Sequence, residues 1–156
     1  MAWTSPRTWQ TGQLVTASNL NTDLRDNLNY LYNRTNLDTA VTTATLNTVN
    51  LTLIQAGTLS VSLTTIGKPV LLIADFLSAY INSVGHTGYF RWYNATNAAN
   101  VGEEHEYNAT LRIPLNVSVI DSPAAGTYTW YMRWRIDAAP GQFNTLGLRL
   151  WAVELL

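Results

Sequence analysis

Along the chain the apolar positions change their period once. Over residues 16–32 they fall at Ala17, Leu20, Leu24, Leu28 and Leu31, the spacing of one face of an α-helix. Thr16 is the expected N-cap, Pro6 and Gly12 lie outside the helix, and Asn33 and Asn36 are suited to end it. Written as heptads, the stripe becomes a seam of Ala17, Leu20, Leu24, Asn27 and Leu31 with one polar member. A lone Asn in a coiled-coil seam sets register and strand number at some cost in stability. Barely two heptads serve equally for a single helix lying on its own domain.

From residue 37 the period falls to two, the mark of β-strands with one face toward a core. Residues 37–55 are Thr-rich and β-branched, and residues 58–65 alternate Leu59, Val61 and Leu63 against Ser60, Ser62 and Thr64. In residues 88–93, Phe90 and Trp92 oppose Tyr89, Arg91 and Tyr93. Leu111, Ile113, Leu115, Val117 and Val119 alternate with polar residues and Pro114, which predicts an edge strand or a bulge. Residues 127–137 place Tyr128, Trp130, Met132, Trp134 and Ile136 inward and Tyr131, Arg133 and Arg135 outward.

Two segments depart from this alternation. Residues 70–77 (VLLIADFL) are apolar on both faces, and residues 146–155 carry Leu148, Leu150 and Ala152 on one face with Trp151 and Val153 on the other. A sandwich strand has one face toward water, so the surplus apolar face predicts self-association. Seven or eight strands without an intervening helix predict an antiparallel sandwich or barrel. The expected division is an arm and helix over 1–36 and a β domain over 37–156.

Composition narrows the class. Charged residues make up 12% of the chain, about half the usual share of roughly 25%. The polar faces are built instead from 15 Asn, 21 Thr and 8 Ser. The formal charge of −1, with Lys68 the single lysine, excludes the basic stripe of a nucleic-acid or anionic-membrane binder. Without Cys there is no disulfide scaffold, thiolate zinc site or Cys nucleophile. No run reaches 18 apolar residues, and residues 1–10 lack a basic-then-apolar leader pattern, so the expectation is a protein made in the cytoplasm.

Candidate chemistry is sparse. Glu103, Glu104, His105 and Glu106 form the densest ionisable cluster, but neighbours on a strand diverge, so the expectation is a solvated acidic loop rather than a metal site. His86 and His105 are the only imidazoles, and no G-x-S-x-G or H-E-x-x-H arrangement occurs. No catalytic residue, metal or cofactor is assigned, and the protein is expected not to be an enzyme. The outward Tyr131, Arg133 and Arg135, with Tyr89, Arg91 and Tyr93, have the composition of a contact surface. Subunit packing is favoured there, with sugar stacking on Tyr89, Arg91 and Tyr93 as the alternative.

The opening residues carry a resemblance. Arg7, Thr8 and Trp9, then Gly12, Val15, Thr16 and Ala17, then Leu20 and Asn21, then Arg25, Asp26, Asn27 and Leu28 follow one another at the spacing R-T-W, G-x-x-V-T-A, L-N, R-D-N-L. This resembles the N-terminal signature of small virion proteins of tailed bacteriophages. Residues 67–73 (GKPVLLI), 125–135 (AGTYTWYMRWR) and 147–155 (GLRLWAVEL) look like the jelly-roll head that follows it, similar in outline to the tumour necrosis factor type of trimeric jelly roll.

The resemblance implies a homotrimer without catalytic residues. It also implies attachment to the major capsid protein or another virion protein, and a place on the particle surface. Members of the family are head decoration, head fibre or minor tail proteins. Head decoration is the favoured expectation because no long fibrous shaft separates anchor from head, with a tail-tip adhesin for host glycans as the alternative. Trp3, Pro6, Arg7 and Trp9 are the expected particle anchor. Val70, Leu72, Tyr131, Arg133, Arg135, Leu148, Leu150, Trp151 and Val153 are the expected trimer interface.

Overall fold

A computed structural model of the chain describes residues 8, 10–14, 16–26 and 37–155. The chain forms two compact units, Met1–Thr35 and Asn36–Leu156.

In the first unit the helix starts where the sequence places it. Thr16 is extended and its Oγ1 accepts the Asn19 N–H at 3.2 Å, capping α1 (Ala17–Leu20). At Asn21 the chain passes into a π-helical turn over Asn21–Asp26. There the i→i+5 bonding widens the period and breaks the strict heptad. Ala17, Leu20 and Leu24 are all exposed. The remaining seam positions Asn27 and Leu31, and the anchor positions Trp3, Pro6, Arg7 and Trp9, lie outside the described residues.

The second unit is an antiparallel jelly-roll sandwich. Its first sheet runs in the order β1 (Leu37–Thr48), β9 (Phe143–Glu154), β4 (Val70–Ile81), β7 (Ile113–Asp121). The second runs β2 (Ile54–Gln55), β8 (Ala125–Ile136), β5 (Gly88–Asn94), β6 (Ala99–Tyr107), and β3 (Val61–Ile66) also pairs with β8. Apart from β2 and β3 and the β5–β6 hairpin, which stay in the second sheet, strands successive in sequence cross between the sheets, as in a jelly roll. Pro114 sits on β7, an edge strand whose unpaired side tolerates a residue with no N–H.

The core lies between the sheets and comes from the alternation already read. Val61 and Leu63 of β3, Phe90 and Trp92 of β5, and Trp130, Met132, Trp134 and Ile136 of β8 are buried against Leu72, Ala74 and Phe76 of β4 and Leu148, Leu150 and Ala152 of β9. Phe143 is the hub of the aromatic cluster, 5.5 Å from Trp134, 5.6 Å from Tyr107, 6.1 Å from Phe90 and 6.2 Å from Phe76 by ring centroids. Gly88 makes room for it, since a Cβ there would stand 2.8 Å from the Phe143 ring. Tyr107 donates to the Ala79 carbonyl at 2.7 Å, and burial pushes its phenol above the ordinary value.

Buried polar groups tie the layers together. One Glu154 carboxylate oxygen accepts from the Thr65 hydroxyl and from the Ile66 and Lys68 amides, fastening the end of β9 to the β3–β4 turn. Asp121 on β7 crosses the sandwich, accepting from Trp130 Nε1 at 2.7 Å and Asn94 Nδ2 at 3.0 Å.

Two expectations change. Val70, Leu72, Leu148 and Leu150 are fully buried inside the single chain, so they belong to its core and not to a subunit interface. The segment holding Glu103–Glu106 is part of β6 rather than a loop, because its backbone pairs with β5, His105 opposite Phe90 and Glu106 opposite Tyr89.

Candidate functional site

The outer faces of the two sheets remain, and the register fixes what each displays. On the first sheet one row runs Leu37, Val153, Leu71, Ile120, the next Thr39, Trp151, Ile73, Ser118, and the third Val41, Arg149, Asp75, Asn116. The two strands that are apolar on both sides thus lie side by side, and their surplus faces merge. Leu71, Ile73, Trp151 and Val153 are half-buried at the centre, while Leu37, Val41 and Ile120 are 45%, 64% and 56% exposed at the margins. Asp75 and Arg149 oppose each other across β4 and β9, and neither closes an ion pair among the described residues. A shallow depression lined by Thr39, Ala40, Val41, Arg149 and Trp151 lies beside them.

The second sheet displays the opposite chemistry. Tyr89 stands opposite Arg135, Arg91 opposite Arg133, and Tyr93 opposite Tyr131. The Arg135 guanidinium lies 3.8 Å above the Tyr89 ring centroid and donates through Nε and a terminal nitrogen to Glu104 at 3.0 and 3.1 Å. The Glu104 bond raises the Arg135 pKa further above the guanidinium value, outweighing burial, so Arg135 stays charged. Arg133 lies 4.7 Å above Tyr93, whose ring is 5.3 Å from Tyr131, and donates to the Leu53 carbonyl. Arg91 forms no ion pair or hydrogen bond among the described residues, and its Nε is sealed from solvent without a partner.

The expected contact residues therefore divide. Tyr89, Arg91, Tyr93, Tyr131, Arg133 and Arg135 come together on one face, whereas Trp151 and Val153 lie on the other side of the sandwich. No single face carries all the residues expected at the trimer interface. Leu71 and Ile73 join Trp151 and Val153, a membership visible in the doubly apolar run over 70–77. Arg149 had no local signal, and Glu104 was visible only as part of an acidic cluster, because each meets its partner through pairing across strands remote in sequence.

Titratable groups elsewhere do structural work. His86 Nδ1 lies 2.9 Å from Asp137 Oδ1. Burial favours the neutral Asp137 carboxyl, but the His86 bond and the Thr87 and Ala138 amides outweigh it and hold its pKa below the ordinary 3.8. His105 stacks on Phe90 at 5.5 Å. Among the described residues, no three His, Asp or Glu gather as metal ligands, and no helix is long and apolar enough to cross a membrane.

No family model matches the chain, and no curated protein does. Among solved structures the chain is similar to one described as a family 16 carbohydrate-binding module, with a TM-score of 0.39 and 15% identity over 67% of this chain and 73% of that one. A likeness at that level carries no argument about function.

Proposed function

We propose that the protein is a structural component of a tailed-phage virion, a homotrimer that decorates the head, with the N-terminal arm and helix as its attachment and the jelly roll projecting outward. The observation that carries the trimer is the merged apolar face of β4 and β9. Monomeric proteins rarely leave such a face open, and burial of each large side chain on it contributes up to about 2 kcal/mol. Residues Asp75 and Arg149 support a second copy as the occupant. They bring both signs of charge to the row beside the apolar centre, so each is suited to meet its opposite on a neighbour across a symmetry axis. The work is binding and burial, with no reaction performed.

The N-terminal signature beginning at Arg7 supports the virion assignment, and the expected anchor Trp3, Pro6, Arg7 and Trp9 precedes the head domain in sequence. Sedimentation of the purified chain tests the trimer: the expected species has three times the 17.3 kDa chain mass. A stable 17.3 kDa species at micromolar concentration overturns it. A density map of the particle tests the location, with the chain expected on the capsid surface; density for it on the tail alone overturns head decoration.

A further inference from the structure

The Arg91–Arg133 pair on the second sheet has no role in the trimer proposed above. Two like charges directly opposite each other on neighbouring antiparallel strands, with Cβ atoms about 5 Å apart, destabilise the sheet. Among the described residues no carboxylate pairs with either of them. Glu104 spends both carboxylate oxygens on Arg135, Arg133 has only the Tyr93 ring and the Leu53 carbonyl, and Arg91 donates to no group among the described residues. Both arginines are half-buried and the Arg91 Nε is out of reach of water, where an unanswered charge is more expensive than in water. Glu103 and Glu106 are the other carboxylates on β6, both exposed, Glu106 opposite Tyr89 and Glu103 in the irregular stretch of the β5–β6 pairing, and neither pairs with Arg91 or Arg133 among the described residues.

Around the pair the surface is polar and aromatic. Tyr89, Tyr93 and Tyr131 flank it, and their hydroxyls make no hydrogen bond among the described residues. Positions 89 to 93 span about 13 Å of strand, longer than a single small ion. The outward positions of β5 and β8 from 89 to 93 and 131 to 135 hold no aliphatic side chain to form the dry centre of a protein interface.

We infer that this face binds an anionic saccharide, with a carboxylate or phosphate of the glycan between Arg91 and Arg133 and sugar hydroxyls on the surrounding tyrosines. An oxyanion with two oxygens to offer suits the guanidinium fork and removes the like-charge repulsion as it binds. The inference does not depend on oligomeric state, since the site lies within one chain.

The test is calorimetric titration of the full chain at low ionic strength. The probes are an oligo-uronate, a glycosylated glycerol-phosphate oligomer, the carboxyl-reduced neutral oligo-uronate, an oligoglutamate peptide, and inorganic phosphate. At least one acidic glycan is expected to bind about tenfold or more tighter than the neutral one. Whichever acidic glycan binds identifies the carboxylate or phosphate source.

Arg91→Gln is expected to weaken binding about tenfold without lowering the thermal midpoint, because it removes a repulsion. Glu104→Gln frees Arg135 and is expected to tighten binding about threefold, and it decides the matter alone if Arg91→Gln does not fold. Equal affinity for neutral and acidic glycans overturns the inference, and so does binding of phosphate or oligoglutamate as tight as that of the glycan. Absence of binding at millimolar concentration, or unchanged or weaker binding by Glu104→Gln, also overturns it.

Discussion

On the first sheet the outward positions of β4 and β9 are filled by Leu71, Ile73, Trp151 and Val153; on the second, those of β5 and β8 are filled by three tyrosines and three arginines. Both faces belong to central strands with the same alternation and the same buried interior. They differ in what still lacks a partner. The first face has apolar area left in water, which the proposed second copy would relieve without direction. The second has satisfied most of itself through cation–π contacts and the Glu104–Arg135 fork, and what remains is charge at Arg91 and Arg133. Such charge calls for a specific counter-ion rather than an apolar surface.

This contrast makes distinct demands on mutants. Ile73→Glu places a charge at the centre of the apolar face and is expected to abolish the trimer in sedimentation while far-UV circular dichroism stays native. The same substitution leaving a trimer intact would erase the distinction between the faces. Tyr93→Ala on the second sheet is expected to leave assembly untouched and to cost about 1 to 2 kcal/mol in urea unfolding, from lost contact with Tyr131 and Arg133.

Arg149→Asp is expected to weaken the trimer, and the charge-swapped pair Asp75→Arg with Arg149→Asp to recover it. Concentration-dependent sedimentation checks both, and the recovery is worth about 1 kcal/mol for a partly exposed pair.

The smallest effect concerns acid. Asp137 has a folded pKa below its unfolded value, so its contribution is complete above about pH 3.8 and is lost as pH falls through the lower, folded value. Asp137→Asn is expected to flatten that acid limb of the stability profile, as followed by thermal midpoints between pH 2 and 5.

Much of this was legible in the residues. The inward sets Phe90 and Trp92, and Trp130, Met132, Trp134 and Ile136, are buried as their alternation requires, and Thr16 caps its helix. The edge position of Pro114 follows from its missing donor. Val70, Leu72, Leu148 and Leu150 were misread because both faces of their strands are apolar, and alternation cannot then say which side is core. Glu103–Glu106 read as a loop because charge density masked an edge strand, where solvent reaches both outward and marginal inward positions.

The sequence by itself determined which residues share a face of each strand, because the side-chain period of two is a local property of extended backbone. Only the tertiary structure decided which strands adjoin: β4 beside β9, so that two surplus apolar faces become one, and β5 beside β8, so that Arg91 meets Arg133. That decision belongs to pairing between segments dozens of residues apart, whose order and register depend on burying the whole core at once.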